Sequence, residues 1–220
     1  MAEVKRKYFD SGELEEEWFE VNGMKEGECK IYYETGQVKH VCNYVNGIME
    51  GEKKSYYPNG QLNAIGNYVN GLKEGEYNSY YENGQLFCIC NYINGNEYGE
   101  TKYYYENGHL AQIYNSVDGV RQGEEKIYYE NGPLKAIYNY VNHSRQGEYK
   151  RYHMNCQLHL IYNYICGKVE GEYKEYYMNG QLKEISNYVN GLKEGEEKIY
   201  FENGELKEIK KYSNGKKITS

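Results

Sequence analysis

The sequence predicts an all-β protein, an elongated single-layer antiparallel ribbon of about nine 24-residue β-hairpin repeats. Three observations favour this fold class: a repeat of constant length, two turn signals in every repeat, and intervening segments rich in tyrosine, isoleucine and valine. Helical spacing of apolar residues never continues for more than a few positions, so we expect essentially no helix.

The repeat length is marked by a Gly-Glu dipeptide that recurs every 24 residues without insertion or deletion. Its glycines are Gly27, Gly51, Gly75, Gly99, Gly123, Gly147, Gly171 and Gly195. Residues 8–14 match residues 32–38 in degraded form, one period earlier. We therefore divide the chain into a degenerate N-terminal capping repeat, residues 1–26, and eight repeats, residues 27–218, of which the last closes the ribbon.

Each repeat contains one turn signal in the middle and one at the end, as at Asn59-Gly60 and Asn70-Gly71. Asn-Gly is favoured where two successive residues need positive φ, so we predict a tight hairpin turn at both places. The segments between turns predict strands, for example at residues 77–81 and 86–93. Residues 71–75 are then expected to return the chain to the next repeat.

The composition suits a thin sheet, because there are 30 tyrosines and too few leucines, valines and isoleucines for a thick two-layer core. A tyrosine ring buries a large area while its hydroxyl still reaches water. Alternation along a strand places Leu86 and Tyr92 on one face, and Ile89 and Ile93 on the other. We therefore expect two mixed faces rather than one dry and one wet face.

The repeat unit resembles the MORN repeat, and more closely the variant repeat of many bacterial and giant-virus proteins. The resemblance is carried by Glu-Gly-Glu-Tyr at 74–77, Tyr-Tyr-Glu-Asn-Gly-Gln-Leu at 80–86 and Asn-Tyr-Ile-Asn-Gly at 91–95, and it covers nearly the whole chain. It implies a twisted β-ribbon that mediates protein contacts and self-association, with lipid binding proposed for some members. Some bacterial proteins with this repeat are labelled antitoxin components. No catalytic residue belongs to the repeat.

One column of tyrosines is the candidate binding surface, because it would form a ladder of flat, amphipathic side chains of the type enriched at interface hot spots. We predict that these tyrosines bind a partner protein: Tyr32, Tyr56, Tyr80, Tyr104, Tyr128, Tyr152, Tyr176 and Tyr200. The alternative interpretation is that the rings simply bury area in a thin sheet.

Histidines and cysteines gather in the most divergent repeat, at His153, Cys156, His159 and Cys166. The paired Cys-x2-Cys spacing of a structural zinc site is missing, so we interpret this group as repeat decay. The glutamates of the Gly-Glu pairs predict a solvated, charge-balanced row rather than a calcium site. We find no nucleophile or phosphate-loop pattern, and we expect no enzyme, no cofactor and no metal.

The net charge of −7 and the pI of about 5.4 disfavour a nucleic-acid partner, because an acidic protein repels phosphate backbones. No apolar stretch approaches a membrane span or a signal peptide, and the six irregularly placed cysteines indicate reduced thiols, so we expect an intracellular, cytoplasmic protein. The function that follows is a non-catalytic scaffold for protein–protein interaction. The alternatives are an antitoxin-type inhibitor with a dedicated toxin partner, and peripheral membrane association.

Overall fold

The computed structural model of the chain describes residues 2–218, and every helix or strand assigned in this range is a β-strand. The pairings within each unit are antiparallel and join strands that follow one another in the chain, which confirms the prediction of an all-β array of hairpins. Contacts divide the chain into two units, Met1–His109 with Ser116–Gly119 and Leu110–Asn115 with Val120–Ser220. The division into a capping repeat and eight further repeats stays a prediction.

The strands through residue 104 are β1 Glu3–Tyr8, β2 Leu14–Val21, β3 Met24–Tyr32, β4 Val38–Val45, β5 Ile48–Met49, β6 Gly51–Tyr56, β7 Leu62–Val69, β8 Leu72–Tyr80, β9 Leu86–Ile93, β10 Asn96–Glu97 and β11 Gly99–Tyr104. The later strands are β12 Leu110–Val117, β13 Val120–Tyr128, β14 Leu134–Val141, β15 Ser144–Arg145, β16 Gly147–Tyr152, β17 Leu158–Ile165, β18 Lys168–Tyr176, β19 Leu182–Val189, β20 Leu192–Lys193, β21 Gly195–Tyr200, β22 Leu206–Ser213 and β23 Lys216–Ile218.

Strands β8 and β9 show how one repeat is built. Strand β9 has the predicted bounds, whereas β8 begins at Leu72, earlier than predicted. Residues 72–75 do not form a return loop, because residues 72–74 pair with β7 and Gly75 pairs with Tyr92 of β9, all within one long strand. Gly75 has φ of 76°, and the pairing register with β7 shifts between Gly66 and Asn67. The Gly-Glu dipeptide is therefore a β-bulge inside a strand, a position that favours glycine.

The turn at the end of the repeat has the predicted geometry. Asn70 and Gly71 have φ of 49° and 79°, as a two-residue hairpin turn requires. The Asn70 amide donates to Glu50 Oε2 at 2.8 Å, and the Gly71 amide donates to the Met49 carbonyl at 2.9 Å. The turn is thereby bonded to the preceding repeat.

The turn in the middle of the repeat differs from the prediction. Gly60 has φ of 86°, but Asn59 is not in the positive-φ region. The Gly60 amide donates to the Tyr57 carbonyl at 2.9 Å, the Tyr57 amide donates to the Gln61 carbonyl at 2.8 Å, and the Asn59 side chain accepts from the Gln61 amide. This is a type I turn followed by a left-handed glycine, the geometry of a longer hairpin loop.

A second bulge at Phe87 sets which side chains share a face. Ser79 pairs with Cys88 and Tyr80 pairs with Leu86, so Phe87 is the extra residue. Residues paired across strands point to one face. Leu86 therefore lies with Tyr80 and not with Tyr92, contrary to the prediction. We define the outer face of this hairpin by Glu76, Asn78, Tyr80, Leu86, Ile89, Asn91 and Ile93, and the inner face by Tyr77, Ser79, Cys88, Cys90 and Tyr92.

The two faces are not equally dry, which corrects the expectation of two mixed faces. Cys88 and Cys90 on the inner face are 5% and 2% exposed, whereas Ile93 on the outer face is 43% exposed. Inner side chains cover one another: the rings of Tyr77 and Tyr92 lie 5.9 Å apart, and Lys73 Nζ lies 3.8 Å from the Tyr77 ring centroid. The core of each hairpin is thus on its inner face.

All six cysteines are free thiols, four of them buried on the inner face and two, Cys156 and Cys166, exposed at turns. Cys29 and Cys42 face each other on β3 and β4. Their hydrogen bond lowers the pKa of Cys42 to about 7, aided by Lys53 and opposed by burial. Cys42 is nevertheless only 1% exposed, so its thiol is shielded from the solvent.

We expect a thiol reagent added to the native protein to modify two cysteines rapidly and the other four only after denaturation, because access limits the reaction at buried thiols. Absorbance of the released chromophore measures the two phases. Replacing Cys156 and Cys166 by serine should abolish the rapid phase. A rapid phase of three or more thiols in the native protein would contradict this arrangement.

Candidate functional site

The outer face carries the same pairs of side chains in successive hairpins. Glu76 pairs with Asn91, Asn78 with Ile89 and Tyr80 with Leu86. In the hairpin of β6 and β7, the corresponding pairs are Glu52 with Asn67, Lys54 with Ile65 and Tyr56 with Leu62. Most positions of the outer face therefore repeat one residue type from hairpin to hairpin, although Asn78 stands where the preceding hairpin has Lys54.

The predicted partner-binding tyrosines occupy one such outer-face position in the repeats of each unit. All eight are half-buried: Tyr32, Tyr56, Tyr80, Tyr104, Tyr128, Tyr152, Tyr176 and Tyr200. In β18, Tyr176 lines a groove of about 250 Å³ together with Leu158, Ile161 and Lys174. Part of each ring is thus exposed next to aliphatic side chains. Its role in binding a partner stays a prediction.

The tyrosine that follows each column member has a structural role that the sequence did not reveal. Its hydroxyl donates to the carbonyl oxygen of the column tyrosine one repeat later, at 2.7–2.8 Å. The pairs are Tyr33 with Tyr56, Tyr57 with Tyr80, Tyr81 with Tyr104, Tyr129 with Tyr152, and Tyr177 with Tyr200. These bonds, here called tyrosine staples, join neighbouring repeats.

The divergent repeat preserves this bond with a different side chain. His153 occupies the position of the stapling tyrosine, and its Nε2 lies 3.0 Å from the Tyr176 carbonyl. Its ring stacks on His159 with centroids 4.2 Å apart, and His159 lies 3.4 Å from a Glu175 oxygen. Within residues 2–218, no group of three or more His, Cys, Asp or Glu side chains has a metal-binding arrangement. The histidine thus takes over a structural contact.

The Gly-Glu glutamates form a charge-balanced column on the outer face. Most of them lie beside a lysine two residues later on the same strand, as in Glu28 with Lys30 at 2.8 Å, Glu52 with Lys54 at 2.5 Å and Glu124 with Lys126 at 2.7 Å. Glu76 instead accepts a hydrogen bond from the Asn78 side chain. Both partners of each ion pair are largely exposed, so each pair contributes little to stability. The row presents alternating charges to the solvent without net attraction for anions.

An exposed apolar ridge runs along the margin of the outer face that carries the Asn-Gly end turns. In the first unit it consists of side chains that are 39–49% exposed: Met24, Val45, Ile48, Val69, Leu72 and Ile93. Val45 pairs with Ile48 and Val69 pairs with Leu72 across their turns. The second unit exposes Val141, Ile165, Val189 and Leu192 at equivalent positions. Sequence reasoning missed this ridge, although the strand-end aliphatics recur with the repeat.

The inner face differs from repeat to repeat. In the second unit it contains a chain of tyrosines, in which Tyr149 lies 4.5 Å from Tyr138 and 4.8 Å from Tyr162, ring centroid to ring centroid. Burial raises the pKa of Tyr173 to about 12, and acidic neighbours, Glu175 first, add to the shift. The Tyr173 hydroxyl therefore stays protonated at neutral pH, and the closely spaced rings make this part of the inner face a packed core.

Comparison with known proteins identifies the repeat. The sequence profile of the MORN repeat variant family matches residues 25–46, 49–70, 73–94, 97–118, 121–142, 169–190 and 193–215. The repeat that contains His153 falls between two matched segments, as its divergence predicts. No curated protein matches the sequence. Residues 2–218 contain no helix long and apolar enough to cross a membrane.

Some solved structures align with the chain at low similarity. A GtfA/B complex bound to UDP and GlcNAc aligns with 52% of this chain and 22% of its own, at 15% identity and a TM-score of 0.23. The Photorhabdus luminescens Tc holotoxin pore aligns with 95% of this chain and 13% of its own, at 13% identity and a TM-score of 0.23. The chain thus spans less than a quarter of these solved chains. By its seven matched repeats, which cover more than half of its length, the chain belongs to the MORN repeat variant family.

Proposed function

We propose that this protein is a non-catalytic scaffold that binds a protein partner on its outer face. The observation that carries the proposal is the exposed apolar ridge, because contiguous exposed apolar area is typical of interaction sites. The ridge borders the column of Gly-Glu glutamates, which supplies a polar rim, and the half-buried tyrosines lie at the opposite margin of the same face as amphipathic anchors.

The chemistry of the outer face favours protein over lipid or nucleic acid as the partner. Its lysines are paired with glutamates, so they offer no excess positive charge to phosphate groups. The apolar ridge is flanked by side chains of alternating charge. A protein partner whose contact surface carries both positive and negative side chains would complement this arrangement. The antitoxin alternative is one case of the same activity with a dedicated partner.

A change confined to the ridge tests the proposal. In the variant Val45→Thr, Val69→Thr and Ile93→Thr, apolar methyl groups are lost while β-branched side chains keep the strands. We expect affinity purification from the native cell to recover a partner with the parent chain, and its binding to the purified variant to weaken by about tenfold or more. A second variant, Tyr32→Thr, Tyr56→Thr and Tyr80→Thr, tests the tyrosine column in the same assay.

The matched control removes exposed apolar side chains that lie away from the ridge. Met154→Thr and Met178→Thr change two turn residues that are 58% and 57% exposed, and partner binding should be unchanged. Equal weakening in the ridge variant and in this control would contradict the proposal. So would flotation of the chain with anionic liposomes, in the absence of any protein partner, if the ridge variant abolished it.

A further inference from the structure

The inner face of the first unit contains a cavity of about 130 Å³ that the outer-face function does not use. It is lined by Lys53, Ser55, Ala64, Tyr68, Lys73 and Tyr77. It coincides with a local run of small residues, since Ser55, Ala64 and Gly66 stand where the repeat of β16 and β17 has Arg151, Leu160 and Tyr162. The cavity therefore belongs to this part of the chain and is not a general property of the repeat.

Two lysines in this cavity lack the acidic partners that the lysines of the outer-face charge column have. No carboxylate oxygen within residues 2–218 lies within 4.0 Å of Lys53 or Lys73, whereas Lys54, the neighbour of Lys53 on the outer face, lies 2.5 Å from Glu52. Lys73 Nζ instead lies over two rings, 3.8 Å from the centroid of Tyr77 and 4.5 Å from that of Tyr92. Two ammonium groups with no carboxylate within salt-bridge distance, among the residues that the structure describes, thus border one cavity in a protein whose net charge is −7.

Neutral donors complete the lining. Ser55 Oγ lies 2.9 Å from His40 Nδ1, and Tyr68 lines the same cavity. Burial, followed by the positive charges of Lys53 and Lys39, holds the pKa of His40 below its ordinary value. The imidazole is consequently neutral at neutral pH. It can position the serine hydroxyl without adding a charge.

We propose that this cavity binds a small oxyanion, inorganic phosphate or the phosphate of a monoester. Two ammonium groups match the charge of a phosphate dianion, and charge-assisted hydrogen bonds from them are stronger than those between neutral groups. The serine and tyrosine hydroxyls supply further donors to the remaining oxygens. No other repeat has a lysine at the position of Lys53, where Cys29, Tyr77, Thr101, Glu125, Tyr149, Tyr173 and Glu197 stand instead, so one site per chain is expected.

Calorimetric titration of the full chain with inorganic phosphate at low ionic strength measures this binding. We expect one site in the parent protein and a loss of at least tenfold in affinity for the double variant Lys53→Gln and Lys73→Gln. Lys54→Gln removes the same charge from the opposite face and is the matched control, so its affinity should stay within about twofold of the parent. Binding that is equal in all three proteins, or absent from the parent, would overturn the proposal.

A second variant separates a lost site from a lost fold. Ala64→Leu should fill the cavity without removing a charge, and Leu160 already occupies the equivalent position in another repeat. We expect this variant to retain its circular-dichroism spectrum and thermal transition but not to bind phosphate. If Ala64→Leu binds phosphate as the parent does, the lysines attract the anion from outside the cavity and the proposed site is wrong.

The source of the phosphate is distinguished by vesicles of phosphatidylcholine with and without phosphatidic acid. Capture by the acidic vesicles that free phosphate competes away, and that Lys53→Gln with Lys73→Gln abolishes, would assign the site to a lipid headgroup. Binding of free phosphate without vesicle capture would assign it to a soluble ligand. Vesicle capture that persists in the double variant would count against the cavity as the binding site.

Discussion

Replacing Tyr33, Tyr57 and Tyr81 together by phenylalanine is expected to lower the free energy of unfolding by about 3 kcal/mol, about 1 kcal/mol for each lost hydrogen bond. Each hydroxyl donates at 2.7–2.8 Å to a carbonyl of the next repeat, so its removal leaves that carbonyl without this partner. The ring is retained, and the loss should therefore report the staple rather than packing. Urea denaturation followed by circular dichroism measures the change.

The neighbouring tyrosine column provides a control of identical chemistry. The hydroxyls of Tyr32, Tyr56 and Tyr80 make no hydrogen bond to another residue within 2–218. Replacing these three by phenylalanine should change the free energy of unfolding by less than about 0.5 kcal/mol. Equal losses in the two triple variants would show that the hydroxyls act through solvation and not through the staples.

Loss of the staples should also change how the protein unfolds. In a repeat protein, stability is the sum of terms within repeats and terms between neighbouring repeats, and cooperativity depends on the latter. The staples contribute only to the terms between repeats. We therefore expect the first triple variant to unfold over a broader range of urea, with a lower apparent slope, while the control keeps a single sharp transition.

The period, the end turns and the strand over residues 86–93 could be predicted because each depends on local residue types repeated in phase. The bulges could not be predicted in the same way. The same Asn-Gly dipeptide forms a two-residue turn at Asn70 and a type I turn at Asn59, since the pairing of the flanking strands decides which residues close the loop. Pro58 was an available signal, because proline favours the second position of a type I turn.

The candidate surface could be predicted only in part, because its contacts also depend on the turn geometry and on the neighbouring repeat. Tyrosine repetition places Tyr32 and Tyr33 in two columns, but sequence alone does not show that Tyr33 is the one whose hydroxyl is bonded. That assignment follows from the turn geometry and from the position of the next repeat. The apolar ridge was missed because Val45 and Val69 look like ordinary strand residues in the sequence. The exposed fraction of each side chain depends on how far the adjacent turn covers it.

Gly66→Ala is expected to destabilise the protein by about 1–3 kcal/mol, the cost typical of forcing an added methyl into a packed site. A Cβ at this position would lie 2.6 Å from Tyr77 Cδ2, well inside van der Waals contact, and that atom belongs to a rigid ring. Gly66 has no positive φ, so the cost comes from this close approach alone. A glycine inside a strand is a recognised sign of such an approach.

A double-mutant cycle with Tyr77→Thr tests that cause, because Thr101 occupies the equivalent position in the next repeat and shows that the fold accommodates it. Without the Tyr77 ring, the added methyl group no longer has a steric clash. Alanine also loses less backbone entropy than glycine on folding. Gly66→Ala should then be neutral or stabilising in the Tyr77→Thr background, which gives a coupling energy of about 1–3 kcal/mol from thermal or urea unfolding. An unchanged penalty in that background would mean that Gly66 is required by the backbone of β7 and not by the ring packed upon it.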